Sequence, residues 1–287
     1  MKPAPFVYLV PESPGEVVDA LRAYGDGKIL AGGQSLVPMM NMRLARPEAL
    51  VDVTRIGELA GIRRTGRTSI GATTRQKDVL ADAGLGAEFP VIHAALENVG
   101  HTANRARGTF GGSVAHADPA AELPAVMLAL DAEMMIMGPD GERTVAADDF
   151  FITYYTTDLD VDELLTEVRL PQRPPAAWGF QEVTRRHGDF ALAGAVVTAH
   201  TDETRAVDSA RVVLFGVTDR PVRAERAEEA LVGHRLDEAG LARAVAELAT
   251  EGLDYTDDVH VPGRYRRDAS VALVQRAVRD AAKSVEG

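Results

Sequence analysis

The sequence contains no cysteine among its 287 residues. This absence excludes disulfide bonds, a cysteine nucleophile, a cysteinyl-linked cofactor and any iron–sulfur cluster bound through this chain's own thiolates. The seven histidines are scattered and form no H-x-x-x-H pair with acidic neighbours. We therefore expect no metal site on this chain.

The sequence also has fewer basic than acidic residues, and its apolar runs are short. The chain has 31 Lys and Arg against 43 Asp and Glu, a net charge of −12 and a pI near 5.1. Such an acidic chain repels phosphate backbones, so we expect no nucleic-acid partner. The apolar runs are too short to span a bilayer, and the proline-broken N-terminal segment is not typical of a secretory signal. We expect no membrane span and a reducing, cytoplasmic location.

The remaining composition is that of an ordinary globular protein, long enough for two or three subdomains. Strands and helices are predicted to alternate up to a proline-rich stretch at 171–178, which is the best linker candidate. Beyond it, alternating apolar residues predict antiparallel strands, and three helical stretches follow at 221–232, 237–250 and 264–284.

Several polar residues are predicted to cap the starts of helices. Ser13 precedes Pro14 and is followed by Glu16, which together indicate a capping box with proline at the first helical position. The further N-cap candidates are Ser35, Thr73 with Gln76 three residues later, and Asp118 before Pro119.

Two glycine pairs carry the strongest functional signal. One reads AGGQS at 31–35 and the other TFGGS at 109–113. Glycine permits positive φ and lets another group approach the bare backbone. Each pair is predicted to follow a strand and open a helix, so that backbone N–H groups converge on an anion. Because no basic side chain lies inside either turn, we interpret the pairs as a diphosphate site held by the backbone. The alternative is that each pair only makes a tight turn.

Four segments, including both glycine pairs, occur in a characteristic order and spacing. They are AGGQSLVPMMNMRLARPEALVDV, NRARGTFGGSVAHADPAAELPAVMLALDAE, DELLTEVRLP and RRHGDFALAGA. As a set, they resemble the FAD-binding medium subunit of the carbon monoxide dehydrogenase and xanthine oxidase family of molybdenum hydroxylases. The resemblance extends from about residue 3 to residue 284.

The resemblance implies an α+β fold in two parts. Residues 1–174 would form a two-lobed FAD-binding module of the vanillyl-alcohol-oxidase (PCMH) type, with lobes of about 1–56 and 57–174. Residues 178–285 would form a C-terminal α+β domain with an antiparallel sheet and helices.

The resemblance also implies which residues bind FAD, without a covalent link. Segments 31–38 and 109–113 would wrap the diphosphate and ribityl chain, and Glu122 would bind the polar tail. Leu164 or Leu165 would touch the adenine or the ring edge. The implied contacts, by residue, are Ala31, Gly32, Gly33, Gln34, Ser35, Leu36, Thr109, Gly111, Gly112, Ser113, Glu122, Leu164, Gln181 and Phe190.

One of these positions departs from the family's usual residue, whereas another matches the family's motif. Gln181-Glu182 stands where the family often supplies a lysine, and neither residue is one. Phe190 ends a Gly188-Asp189-Phe190 motif whose aromatic residue lies near the isoalloxazine. Compared with tyrosine at this position, phenylalanine keeps the aromatic ring face but lacks the hydroxyl group. Without the resemblance, Phe190 would be interpreted as a core aromatic in a strand.

Other polar residues favour structural interpretations. His116 and Asp118 could form an acid–base pair, but we expect Asp118 to cap a helix and His116 to order the loop. The arginines could neutralise phosphate, face solvent or contact another subunit: Arg105, Arg107, Arg185 and Arg186. No nucleophile stands with a base, so we predict no catalytic residue. A flavin supplies its own redox chemistry.

The resemblance implies an electron-transfer subunit of a molybdenum hydroxylase complex. Its partners would be an iron–sulfur small subunit, which donates electrons, and a large subunit that carries the molybdenum cofactor. One alternative is a self-contained FAD-dependent oxidoreductase acting on a small molecule, with His187 as the nearest acid–base candidate. Another alternative is a non-redox nucleotide-binding module.

Overall fold

The first lobe is built around a small parallel sheet. In this computed structural model, which describes residues 2–285, the strands of this sheet lie in the order β1-β3-β2. Helix α1 and sheet residues pack through a core that contains Val17, Leu21 and Val51. The elements are β1 Val7–Leu9, α1 Pro14–Tyr24, β2 Gly27–Leu30, α2 Leu36–Asn41 and β3 Ala49–Asp52.

The second lobe contains an antiparallel sheet flanked by short helices. Its strands lie in the order β4-β5-β10-β6-β7, and a hairpin joins β8 to β9. A short 3-10 helix at Gly57–Leu59 connects the lobes. The elements are β4 Ile62–Thr65, β5 Arg67–Gly71, α3 Gln76–Ala81, α4 Ala83–Glu88, α5 Pro90–Asn98, α6 Thr102–Arg107, α7 Phe110–His116, α8 Glu122–Ala129, β6 Glu133–Gly138, β7 Gly141–Ala146, α9 Ala147–Phe150, β8 Phe151–Thr153, β9 Thr156–Thr157 and β10 Leu164–Arg169.

The C-terminal part is an antiparallel meander covered by helices. Its strands follow the chain order β11-β12-β13-β14, and the long helix α12 packs against β11 and β12. The predicted helix at 221–232 is shorter than expected because its first residues form β14. The elements are β11 Ala177–Val183, β12 Ala193–Thr201, β13 Val207–Phe215, β14 Val222–Arg223, α10 Glu225–Glu229, α11 Leu241–Ala249 and α12 Gly263–Ser284.

The C-terminal sheet has two buried faces, and each face belongs to a different core. Phe180, Val196 and Phe215 join the core of the second lobe, together with Leu123 and Met127 of α8. The opposite face packs against α11 and α12. This arrangement fixes the C-terminal sheet against α8, which begins at the cavity described below. Within residues 2–285, no helix is both long and apolar enough to cross a bilayer.

The predicted helix caps have mixed outcomes. Ser13 caps α1 as expected, accepting a hydrogen bond from the backbone N of Glu16 at 3.3 Å. Ser35 stands at the start of α2 but makes no side-chain capping bond. The prediction for Thr73 is wrong, because α3 begins at Gln76 with Arg75 before it. The prediction for Asp118 is also wrong, because the helix that it was expected to cap at Pro119 begins only at Glu122.

Asp118 forms a turn instead of a helix cap. Its Oδ1 accepts a hydrogen bond from the backbone N of Ala120 at 2.9 Å, and helix α8 starts only at Glu122. A short aspartate side chain commonly bonds the backbone two residues onward in this way. The shift places Glu122 at the first turn of the helix.

Candidate functional site

A large cavity lies where the two lobes meet. Its volume is about 880 Å³, within the range of about 300–1,000 Å³ that is usual for small-molecule and cofactor sites. Both glycine segments, the β9–β10 connection and the loop after β11 contribute to its walls. The predicted contacts that line it are Ala31, Gly32, Gly33, Gln34, Ser35, Leu36, Thr109, Gly111, Gly112, Ser113, Glu122, Leu164 and Phe190.

Gln181 is the predicted contact that the structure places elsewhere. Its Nε2 donates a hydrogen bond to Asp280 Oδ2 of α12 at 2.6 Å. Side chains alternate across a strand, so this bond directs Gln181 to the α12 face of β11. The structure therefore corrects this expectation. The strand period of two decides the side, and the resemblance alone could not show it.

The first glycine segment forms a concave set of unpaired backbone amides. Gly33 has a φ of +70°, which an L side chain adopts only with strain. Within residues 2–285, the backbone N–H groups of 32–35 donate no hydrogen bond. Successive free amides of this kind are a binding site for an anion. This loop therefore has the donors that a diphosphate requires.

The second glycine segment differs from the expected form in two respects. It follows helix α6 and not a strand, and neither of its glycines has a positive φ. Its amides are also occupied: the N–H groups of 110–113 bond to Thr74 O, Ala72 O, Thr109 Oγ1 and Thr109 O. The hydroxyl of Ser113 remains without a hydrogen-bond partner in the part of the chain that the structure describes. The second segment thus offers the Ser113 hydroxyl as a hydrogen-bonding group, whereas the first segment offers free backbone amides.

The glycines of the second segment are required by close packing. A Cβ on Gly111 would lie 2.5 Å from Ala72 Cα, and one on Gly112 would lie 2.5 Å from Thr109 Oγ1. Thr109 is the N-cap of α7, since its hydroxyl accepts from Gly112 N at 3.1 Å. The absence of side chains here lets α7 approach β5 and leaves room at the cavity wall.

The two glycine segments touch each other directly. A Cβ on Gly32 would lie 2.7 Å from both Arg107 O and Gly108 Cα. The side chains add a second link, because Asn104 Nδ2 donates to Gln34 Oε1 at 3.3 Å. The loops therefore form one continuous wall across the junction between the lobes.

A buried carboxyl group lies at one side of the cavity. Glu122 is only 4% exposed and lines the cavity. Burial, followed by the nearby charge of Glu182, raises the pKa of Glu122 to about 8. Burial also raises the pKa of Glu182 to about 7. Both shifts disfavour the charged form, so these groups lose their protons at a higher pH than exposed glutamates do.

His116 and Asp118 line the same cavity in a cluster with Tyr155. The rings of His116 and Tyr155 are 5.1 Å apart, and Tyr155 Oη donates to Asp118 Oδ2 at 3.4 Å. Burial lowers the pKa of His116 despite the opposing effect of Asp118, so the imidazole is neutral. Ala117, between them, has a φ of +49°. The cluster therefore supports the bend after α7, in line with the structural interpretation of the sequence.

The cations of the cavity are not the arginines that the sequence suggested. Lys28 and Arg46, both from the first lobe, line the cavity. Arg105 instead donates to the backbone O of Val99 and Gly100, and Arg107 does not line the cavity. Neither Lys28 nor Arg46 lies in a glycine motif, so no local sequence pattern identifies either residue as part of the cavity. Only the folded first lobe brings these two cations to the cavity.

Phe190 lies at the cavity wall, whereas His187 does not. Phe190 is 58% exposed, which contradicts the core-aromatic interpretation that the sequence alone favoured. His187 is exposed, and its ring lies 6.4 Å from that of His101. Among residues 2–285, no cluster of three or more His, Asp or Glu could hold a metal ion.

Comparison with known families matches the two parts of the chain separately. Residues 4–173 match the family described as the FAD binding domain in molybdopterin dehydrogenase. Residues 178–281 match the CO dehydrogenase flavoprotein C-terminal domain. Together the two matches span nearly all of the chain.

Similar proteins cover almost the whole chain. The 6-hydroxypseudooxynicotine dehydrogenase complex subunit alpha of Paenarthrobacter nicotinovorans is 38% identical over 97% of this chain and 95% of that protein. The carbon monoxide dehydrogenase medium chain of Hydrogenophaga pseudoflava is 36% identical over 97% of each. The structure of quinoline 2-oxidoreductase from Pseudomonas putida 86 has a TM-score of 0.94 at 38% identity and covers all of both chains.

Proposed function

The chain belongs to the family of FAD-binding subunits of molybdenum hydroxylases, and we propose that it is the electron-transfer subunit of such a complex. It would accept electrons from iron–sulfur clusters of a partner subunit and deliver them to an external acceptor. The observation that carries the proposal is the set of unpaired amides at 32–35, placed in a cavity at the junction of two lobes.

The residues of the cavity fit FAD. The amides of 32–35 would hold the diphosphate, and the Ser113 hydroxyl of the adjoining glycine segment would add a bond. Lys28 and Arg46 supply positive charge in an otherwise acidic chain. Phe190 would lie against the ring system, and Leu164 would pack at its edge or at the adenine. FAD, once bound, supplies the redox chemistry, while these residues bind and orient it.

The same assignment implies the partners. Because the chain has no cysteine, the iron–sulfur clusters must belong to another subunit. The similar proteins are named as a medium chain and as a subunit of a dehydrogenase complex. We propose a small iron–sulfur subunit and a large subunit with the molybdenum cofactor, assembled in the cytoplasm. The oxidised substrate would bind to the large subunit and not to this chain.

The proposed domain division follows the three larger sheets. Residues 1–174 would form the FAD-binding part, with lobes of about 1–56 and 57–174, and residues 178–285 the C-terminal part. The parallel sheet ends at Asp52, the second lobe's sheet ends at Arg169 and the C-terminal sheet begins at Ala177. These element boundaries support the division.

The purified chain is expected to contain one FAD that is not covalently attached. Cysteine is absent, and the cavity holds its ligand through amides and a hydroxyl. The protein should show flavin absorption bands, and acid precipitation should leave the flavin in the supernatant. Flavin that stays with the denatured protein would contradict this expectation and direct attention to His116, which lines the cavity. A colourless chain that takes up no FAD would favour the non-redox nucleotide-binding module.

The chain is expected to co-purify with two partners when it is expressed with its genomic neighbours. An affinity tag on this chain should recover a cysteine-rich small subunit and a large molybdenum subunit. Alone, it should not oxidise aldehydes or heterocycles, since its cavity lacks His187, the acid–base candidate of the self-contained oxidoreductase. A lone flavoprotein that turns over an organic substrate would reject the subunit assignment.

A further inference from the structure

Five arginines form a cluster on the surface beside the cavity. Arg105 and Arg107 belong to α6, Arg75 precedes α3, and Arg185 and Arg186 lie in the loop between β11 and β12. Within residues 2–285, none of the five guanidinium groups forms an ion pair with a carboxylate. Their positive charges are therefore not neutralised by the folded chain itself.

Close contacts join the three segments that carry these arginines. Arg75 donates a hydrogen bond to the backbone O of Arg107. At the start of α6, the loop after β11 packs against the helix, since a Cβ on Gly188 would lie 2.8 Å from the ring of His101 and 2.9 Å from Gly100 O. The arginines are thus neighbours in space although the segments are far apart in sequence.

The bonds that hold the arginines do not involve carboxylates. Arg105 Nη1 donates to the backbone O of Val99 at 2.9 Å and of Gly100 at 3.0 Å. Arg185 Nη1 lies 3.1 Å from Nδ1 of His260. A carbonyl oxygen or a ring nitrogen orients a guanidinium group without cancelling its charge, because neither acceptor is an anion.

The same segments contain few acidic residues. Ranges 75–78, 101–107 and 185–190 hold six basic residues, and their acidic residues are Asp78 and Asp189 alone. The whole chain has a net charge of −12, so this surface is a local exception on an acidic molecule. We call the six basic side chains the basic rim: Arg75, Lys77, Arg105, Arg107, Arg185 and Arg186.

The aspartates of the loop around His260 have partners of their own. Asp258 pairs with the buried guanidinium group of Arg266, and Asp257 Oδ1 accepts from the backbone N of Gly263. These carboxylates are held within their own part of the chain and form no ion pair with the basic rim.

The basic rim lies outside the cavity. Asn104, Gly108 and Gly188 line the cavity, whereas none of the six rim side chains does. Helix α6 has no buried residue, so its arginines stand on a convex surface. Concave sites such as the amides of 32–35 hold small anions. A convex, charged surface instead fits the face of another protein.

The character of the rim favours a transient partner over a permanent subunit. Permanent interfaces are more apolar, and charged residues are depleted from their centres. Weak electron-transfer encounters bury less surface, and opposite charges steer the partners together. The exposed apolar residues Phe6, Val7 and Tyr8 lie elsewhere, at β1. A partner steered to the rim must therefore present an acidic face.

We propose that the basic rim is the docking site of an acidic electron-carrier protein that accepts electrons from the bound flavin. The inference rests on the proposed function, because Phe190, in the same loop as Arg185 and Arg186, would lie against the flavin ring. Two molecules of a one-electron carrier would each take one electron from one fully reduced FAD, which returns to its oxidised form and releases two protons to solvent. The acidic remainder of the surface repels the carrier and so directs it to the rim.

The test is the binding of an acidic plant-type ferredoxin to the full-length, FAD-loaded chain, measured by surface plasmon resonance. The ferredoxin should bind at about 0.05 M salt. Raising the salt to about 0.5 M should weaken binding at least about tenfold, because exposed charges are then screened. An excess of NAD should not displace the ferredoxin, since the rim is not a nucleotide site.

Arg185→Gln combined with Arg186→Gln removes two charges of the rim. The affinity for ferredoxin at low salt should fall about tenfold, and Arg107→Gln alone should lower it about threefold. The affinity for FAD should not change in either variant, because none of these side chains lines the cavity.

Arg276→Gln combined with Arg279→Gln is the matched control. Both arginines are exposed on α12 and form no ion pair within residues 2–285. The control removes the same charge at a distance from the rim, since Ala277 lies against Gly179 near the start of β11. Ferredoxin should bind this variant and the wild-type chain with equal affinity.

The outcomes separate the two proposals. Absence of ferredoxin binding to the wild-type chain at low salt, or equal binding to the Arg185 and Arg186 double variant, would overturn the docking site. Displacement of the ferredoxin by NAD would assign the rim to a small anionic acceptor and would overturn it as well. A wild-type chain that takes up no FAD would instead reject the proposed function, which FAD uptake tests independently of ferredoxin.

Discussion

Gly32→Ala is expected to weaken FAD binding about a hundredfold while the chain remains folded. The added Cβ would lie 2.7 Å from Arg107 O and Gly108 Cα, and 2.9 Å from Thr109 N. All three contacts are backbone atoms, so neither loop can relieve the overlap by turning a side chain. The loops must separate, which displaces the amides of 32–35 from the second glycine segment. A hundredfold loss corresponds to about 2.8 kcal/mol, or roughly two charge-assisted hydrogen bonds.

Fluorescence titration of FAD against the apoprotein measures this loss. Gly15→Ala is the matched control, because a Cβ at Gly15 of helix α1 would meet nothing within 4 Å. The control should bind FAD with unchanged affinity. If Gly32→Ala, folded by circular dichroism, bound FAD as tightly as the wild-type chain, the diphosphate could not be held by the wall that these two loops form.

Arg266→Met is expected to destabilise the C-terminal part by about 3–5 kcal/mol. Arg266 is 5% exposed, and its guanidinium donates to the backbone O of Leu192 and Gly216 and to Asp258. The methionine fills much of the same volume but leaves two buried carbonyl groups and the carboxylate without their donor. The cost of such unpaired groups is high because the interior offers no water to replace the donor.

Thermal unfolding of the FAD-bound chain checks this expectation, with a lowering of the midpoint by roughly 10 °C. Arg267→Met is the control, since the neighbouring Arg267 is exposed and its guanidinium pairs with the exposed carboxylate of Asp268 at 3.3 Å. Surface pairs of this kind contribute little. FAD affinity should also fall in Arg266→Met, because Leu192 lies two residues after Phe190 at the cavity wall. A midpoint equal to that of the control would show that the buried guanidinium adds no net stability.

The sequence by itself determined the features that depend on neighbouring residues. Ser13 and Pro14 start α1 because capping and a fixed proline φ act within one helical turn. Gly33 takes its positive φ because the loop around it turns within a few residues. The order of the motifs also identified the family, the α+β fold and the cofactor. The resemblance also predicted segments 31–38 and 109–113 as cofactor contacts, and these residues line the cavity except Val37, Pro38 and Phe110.

Only the tertiary structure decided which partners meet across the chain. The amides of the second glycine segment are taken by Ala72 and Thr74, which come from β5 and the turn after it. Gln181 turns to Asp280, some hundred residues onward, and leaves Glu182 to face α8. No local pattern encodes these pairings, since each requires two distant segments to be brought together by the burial of the cores between them. The burial of Glu122 at the cavity wall, which raises its pKa, follows from that packing.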